Sequence, residues 1–110
     1  MDVPEIDVAE LAARQADGAP IIDVRSPGEF ATARVPGAHL IPLGEVVERI
    51  EEVPTEGTVY VICGTGPRSA KAVEHFRSLG IDAVNVAGGT RAWIDAGLPI
   101  EQAGSEAGAG

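Results

Sequence analysis

The sequence predicts an α/β domain with a mainly parallel, five-stranded sheet carrying helices on both faces. Short β-branched runs such as Ile21-Ile22-Asp23-Val24 and Val59-Tyr60-Val61-Ile62 are apolar without alternation, as strands buried on both faces require. These runs alternate with segments of helical period that have readable ends, which is the order of a sheet covered on both sides. The 110 residues, 45% of them apolar, suffice for one core and are too few for two domains.

In chain order, residues 4–6 suit a short edge strand. Asp7 with Glu10 three residues later is a candidate capping box for a helix over residues 8–15, with Gly18 beyond its end. The strand at 21–24 is followed by Ser26-Pro27-Gly28-Glu29, which combines a cap, a proline at the first helical position and a reciprocal glutamate. A strand is expected at 39–41, and then a helical segment at 44–52 with Val46, Val47 and Ile50 on one face. After the strand at 59–62, the helix over 67–79 places Ala72, Val73, Phe76 and Leu79 on one side and stops at Gly80. A strand at 83–86 and a helix at 90–96, closed by Gly97 and Pro99, complete the domain, expected over residues 1–101. Residues 102–110 are Gly, Ala, Ser, Glu and Gln with no apolar period, the composition of a disordered tail.

Net charge is -9, with 17 acidic against 8 basic residues. That balance argues against nucleic acid and anionic membranes as partners, since both select clustered Lys and Arg. No apolar run approaches the ~18 residues of a membrane span, and the acidic first ten residues do not resemble a signal peptide. The single cysteine forms no internal disulfide, and with two distant histidines it supplies no metal-ligand spacing. A cytoplasmic protein without a metal is the expectation.

Chemistry concentrates in residues 59–70. A buried strand ends, Cys63 follows at once, and Gly64-Thr65-Gly66 leads into a helix that starts at Pro67. Ligands of parallel sheets bind at the carboxyl ends of strands. The helix that follows aims its unpaired N–H groups and positive dipole end at the loop. This favours a Cys63 thiolate, and the glycines let successive amides curl inward as an oxyanion cradle. Arg68 adds a positive charge that assists the cradle or braces it. A cysteine after a strand is more often an inert hydrophobe, and Gly-x-Gly often marks an ordinary turn. The conjunction of strand, cysteine, glycine loop, arginine and helix start favours a reactive sulfur. His75, within the helix beside Glu74, reads as a solvated residue, His39 lacks a clustered ligand, and Trp93 reads as a core anchor.

Cys63-Gly64-Thr65-Gly66-Pro67-Arg68-Ser69 resembles the C-x-x-G-x-R-S active-site loop of rhodanese domains. Asp23-Val24-Arg25-Ser26-Pro27-Gly28-Glu29-Phe30 is similar to that family's D-V-R-x-x-x-E-[FY] segment. Val35-Pro36-Gly37-Ala38-His39-Leu40-Ile41-Pro42 is similar to its I-P-G-A-x-x-I-P segment. Gly88-Gly89-Thr90-Arg91-Ala92-Trp93 with Gly97-Leu98-Pro99-Ile100 resembles its closing pattern. One departure is Ala33-Arg34, where the family usually has Gly-His.

The resemblance implies a three-layer rhodanese-like domain and a ping-pong sulfur transfer through a Cys63 persulfide, with no cofactor. Thiosulfate or another small anionic sulfur donor would load Cys63, and cyanide, a thiol or a protein acceptor would unload it. Gly64, Thr65, Gly66, Pro67, Arg68 and Ser69 would form the substrate-binding loop. Asp23, Arg25 and Glu29 would be structural supports, with Arg25 and Glu29 paired beside the loop. A loop with one charged residue is expected to leave an open mouth for a large acceptor, so a persulfide carrier or regulatory module with little thiosulfate activity is the rival reading. A phosphatase is disfavoured by the four residues between Cys63 and Arg68, one fewer than in phosphatases of related fold. An arsenate reductase is disfavoured by the lack of a second, resolving cysteine.

Overall fold

A computed structural model of the chain describes residues 3–103. Its elements are β1 (Glu5–Ile6), α1 (Val8–Ala16), β2 (Ile21–Asp23), α2 (Pro27–Thr32), β3 (His39–Leu40), β4 (Thr58–Ile62), α3 (Pro67–Ser78), β5 (Asp82–Val86) and α4 (Gly89–Asp95). The five strands form one all-parallel sheet in the order β1-β5-β4-β2-β3. β4 is central, with Ile21 opposite Tyr60 on one side and Tyr60 opposite Val84 on the other.

Strand alternation sends the side chains of β4 into two separate cores. Val59 and Val61 pack with Ala72, Val73 and Phe76 of α3 and with Val46 and Val53 from the segment between β3 and β4. Tyr60 and Ile62 face the other way, onto Leu11 of α1 and Trp93 of α4. Trp93 is fully buried and its Nε1–H donates to the Pro99 carbonyl at 2.7 Å, so the last helix is tied to the chain that leaves it. The apolar strands are thus covered on both faces, as their uninterrupted hydrophobicity predicts.

Two helix starts depend on the caps visible in the sequence. Ser26 and Glu29 make the full reciprocal box that opens α2. Asp7 accepts from the Glu10 N–H at 2.8 Å, while the Glu10 carboxylate turns to Arg14 at 3.5 Å, so only half of the expected box forms on α1.

Three local expectations are corrected. Residues 44–52 do not form one helix: 3-10 turns at Leu43–Glu45 and Ile50–Glu52 flank a looser turn. Val46 is buried there and Val47 is 66% exposed, because a broken helix does not keep both on one face. Leu79 is also exposed, since it lies past the last helical residue as the C-cap of α3. The chain stays attached beyond residue 101: Arg34 and Glu101 form an antiparallel bridge, and the Ala103 N–H donates to the Ala31 carbonyl. Residues 104–110 of the expected tail lie outside the described residues. Among the described residues no helix is long and apolar enough to cross a membrane.

The sheet order fixes where a ligand can sit. From β4 the chain moves through α3 to β5, on one side; from β2 it moves through α2 to β3, on the other. The carboxyl ends of β4 and β2 therefore diverge into a crevice, the usual position of a site in a parallel sheet. The Cys63 loop leaves β4 there, and the Asp23-to-Glu29 segment leaves β2 beside it.

Candidate active site

Cys63 follows the last residue of β4 and its Sγ is enclosed by the loop it starts. The Gly66 N–H donates to Sγ at 3.0 Å, and the Ser69 hydroxyl lies 3.3 Å away. Gly66 is the N-cap of α3 with φ 123°, a conformation that L side chains rarely adopt, and Pro67 opens the helix. Ser69 is thus the third helical residue, and its N–H has no partner within the helix. Burial acts to raise the Cys63 thiol, but hydrogen bonds from the Ser69 hydroxyl and from the N–H groups of Ser69, Gly66 and Thr65 outweigh it. The net result is a thiol pKa below its ordinary value.

Cys63 is fully covered, with 0% of its surface exposed. The expected open mouth is therefore absent from this conformation, because the curl that brings the amides to the sulfur also closes over it. Of the loop residues, Thr65 and Pro67 face solvent, Gly64 and Arg68 are half-buried, and Gly66 and Ser69 are buried.

The cover is braced from behind by α4. The N–H groups of Thr90 and Arg91 donate to the carbonyls of Cys63 and Gly64 at 2.8 and 3.0 Å, and the Thr90 hydroxyl adds a 3.0 Å bond to Cys63. Drawing those carbonyls toward α4 leaves the amides of the loop free for the sulfur. The approach requires Gly89: a Cβ there would lie 2.6 Å from both carbonyl oxygens, at φ 60°. The Gly88-Gly89-Thr90 motif is visible in the sequence only as part of a pattern; its bracing role follows from contact with residues 63 and 64.

The ion pairs around the loop differ from the expectation. Arg25 does not pair with Glu29. Its guanidinium donates to Asp23 at 2.8–3.1 Å and to the Ala33 carbonyl at 2.7 Å, with Asp23 fully buried and Arg25 nearly so. Residues two apart in extended chain share a side, so Asp23 reaches Arg25 first. Glu29 instead takes both arms of Arg68, at 2.8 and 2.9 Å. Arg68 lowers the Glu29 carboxyl to about 2 against the opposition of burial, with help from the Ser26 N–H and hydroxyl. Arg68 is therefore a brace whose charge is already matched. Its Nη2 would lie 3.1 Å from a Cβ on Gly64, so the pair rests on the active loop.

At the Ala33-Arg34 departure, the Ala33 carbonyl receives Arg25, while Arg34 covers the Phe30 ring at 4.9 Å and approaches Glu101 at 3.6 Å. His39 lies away from the sulfur, bonded to Glu52 at 2.6 Å within a group that includes Arg49 and Glu45. His75 is half-buried and its ring meets Phe76 at a tilt. Neither histidine contacts the loop through any of these bonds.

Asn85 is the site residue that the sequence concealed. It sits in an apolar strand pattern, is buried, and accepts from the Ser69 hydroxyl at 2.5 Å through Oδ1. Its only signal is a polar residue inside the run Ala83-Val84-Asn85-Val86, where a buried amide demands partners.

The chain is similar to known proteins in sequence and in fold. The model of the rhodanese-like domain matches residues 7–96. A sulfurtransferase of Allochromatium vinosum is 36% identical over 101 residues, covering 89% of this chain and 94% of that protein. An adenylyltransferase and sulfurtransferase of Ogataea parapolymorpha is 34% identical over 100 residues, but this chain spans only 25% of its length. Among solved structures, a rhodanese-related protein from Thermoplasma volcanium superimposes with a TM-score of 0.83 at 33% identity, covering 89% of this chain and 97% of that one.

Proposed function

Because the chain belongs to the rhodanese-like domain family, we propose that it is a sulfurtransferase that carries sulfane sulfur as a persulfide on Cys63. The observation that supports this most is the Gly66 N–H and Ser69 hydroxyl held at 3.0 and 3.3 Å from Sγ, in a loop that lowers the thiol pKa. The thiolate attacks the outer sulfur of a donor. A new bond forms from Sγ to that sulfur, the donor's own bond to it breaks, and the leaving group departs with the electron pair. With thiosulfate the leaving group is sulfite. The persulfide's terminal anion then takes the place of the thiolate among the loop amides. An acceptor such as cyanide, a thiol or a protein thiolate attacks the outer sulfur, and Cys63 leaves again as a thiolate. No cofactor enters this cycle. Asp23, Arg25 and Glu29 support the loop without touching the reacting atoms.

A specific observation bears on the donor. Both arms of Arg68 are engaged by Glu29, so the loop offers a small dianion backbone amides and a cation that is already matched. This favours a persulfide, free or on a partner protein in the cytoplasm, over thiosulfate. Steady-state rates with thiosulfate and with glutathione persulfide test both parts. Sulfur transfer requires turnover with at least one donor and none in Cys63→Ala. The donor preference requires the higher kcat/KM with the persulfide, and faster use of thiosulfate would reverse it.

A further inference from the structure

Behind the sulfur a polar chain runs from α3 through β5 to β1. The Ser69 hydroxyl carries one proton and has three acceptors in reach: Asn85 Oδ1 at 2.5 Å, the Gly66 carbonyl at 3.0 Å and Cys63 Sγ at 3.3 Å. The Gly66 carbonyl also receives the Ala70 N–H at 3.0 Å and is unchanged by the state of the sulfur. Asn85 Oδ1 is the nearest of the three, so the competition that bears on the reacting atom is between Asn85 and the sulfur. Glu5 settles which end of Asn85 takes part. A carboxylate only accepts, so the end of the amide that meets Glu5 Oε2 at 2.8 Å must be Nδ2, and Oδ1 is left facing Ser69.

We propose that Asn85, oriented by Glu5, is a positioning residue that draws the single Ser69 proton away from Cys63 at rest and releases it when the sulfur becomes an anion. With a thiol at Cys63, the S–H donates to the Ser69 oxygen and the hydroxyl donates to Asn85. With a thiolate or persulfide anion, the hydroxyl rotates to donate to sulfur, and Asn85 Oδ1 loses its partner. The thiol's proton leaves to solvent, and no proton is stored in the network. Asn85 therefore favours the neutral thiol, while Ser69 favours the anion. The other charges near this site are already matched in pairs: Arg68 with Glu29, and Arg25 with Asp23. The inference rests on Cys63 being the reactive sulfur, but its test reads the thiolate directly and does not depend on any donor.

The test is the Cys63 pKa, from thiolate absorbance near the ultraviolet edge and from the pH dependence of iodoacetamide alkylation. Ser69→Ala is expected to raise it. Asn85→Leu, similar in volume and unable to accept, is expected to lower it by about half a unit, and so to raise the thiolate fraction about threefold at a pH below the pKa. In a Ser69→Ala background, Asn85→Leu is expected to do nothing further, since no hydroxyl remains to be released. General loosening of the site would instead raise the pKa or act equally in both backgrounds, and either result would overturn the proposal. Glu5→Ala, at an exposed edge position, provides the same test without disturbing the core. A downward shift that is larger with Ser69 present than in the Ser69→Ala background supports the proposal. An equal shift in both, which loss of the Glu5 charge alone would give, contradicts it. Activity with a sulfur donor is scored separately, so loss of sulfur transfer with the proton competition intact, or the reverse, is recognisable.

Discussion

Arg68 and Glu29, 39 residues apart in sequence, grip each other through two parallel hydrogen bonds across the ends of β4 and β2. The pair joins the loop that carries the nucleophile to the neighbouring strand's turn, and it neutralises the only cation in that loop. Both side chains are about two-fifths exposed, so the pair itself contributes only about 1 kcal/mol or less to stability. Its weight falls on position and charge.

Glu29→Gln tests the charge. Glutamine can keep the cap on α2 through its amide oxygen, while the guanidinium of Arg68 becomes unmatched. The KM for thiosulfate is expected to fall severalfold, with a smaller change for a persulfide donor that carries less charge at its reacting end. Steady-state kinetics at fixed ionic strength measure this. An unchanged KM would mean that Arg68 does not meet the donor even when freed.

The pH dependence separates the sulfur from the ion pair. Glu29 titrates near 2 in the folded protein, so the stability its depressed pKa supplies is full above its unfolded value, about 4.3, and is lost as pH falls toward 2. Between roughly pH 5 and 9 the pair is constant. Alkylation of Cys63 is therefore expected to rise with pH through a midpoint below that of a free cysteine. By linkage, the wild type should gain stability relative to Cys63→Ala as pH rises through the folded pKa toward that unfolded value. A midpoint at or above that of a free cysteine would contradict the lowered thiol.

Gly89→Ala should separate a tight approach from an ordinary turn. Gly80 also has positive φ, 84°, but open space around it, so Gly80→Ala is expected to cost about 1 kcal/mol of backbone strain. At Gly89 the new methyl also meets the Cys63 and Gly64 carbonyls, and the expected loss is about 3 kcal/mol or more. Urea denaturation gives both values. Activity should fall in Gly89→Ala and persist in Gly80→Ala, because only the first displaces the carbonyls that α4 holds.

Asp23→Ala leaves the Arg25 guanidinium buried with only the Ala33 carbonyl to receive it. A loss of about 3–5 kcal/mol is expected. Replacing both partners, as in Asp23→Leu with Arg25→Met, should recover part of that loss, which chemical denaturation would show. Equal losses in the single and double variants would mean that the pair's geometry, rather than the stranded charge, matters.

Much of this is legible along the chain. The unalternating strands at 21–24 and 59–62 reveal a sheet covered on both faces, and Ser26 and Glu29 reveal a cap that the structure completes. Cys63, its glycines and Ser69 are readable because strand, loop and helix start are contiguous. What is hidden depends on which strands become neighbours. Asn85 reaches Ser69 only because β5 lies against β4, and Glu29 reaches Arg68 only because β2 lies on β4's other side. The family resemblance implies that Arg25 meets Glu29, but nearest-neighbour geometry gives it to Asp23. The bracing of the Cys63 and Gly64 carbonyls is also unreadable, since the N–H groups that meet them belong to α4, far along the chain.

Intact mass after incubation with glutathione persulfide, and in parallel with thiosulfate, tests the central claim most directly. The expected result is a gain of one sulfur atom on the wild type, lost on adding cyanide and absent from Cys63→Ala. A folded wild type that takes up no sulfur from either donor, or a Cys63→Ala variant that still does, would contradict the assignment of sulfur transfer to Cys63.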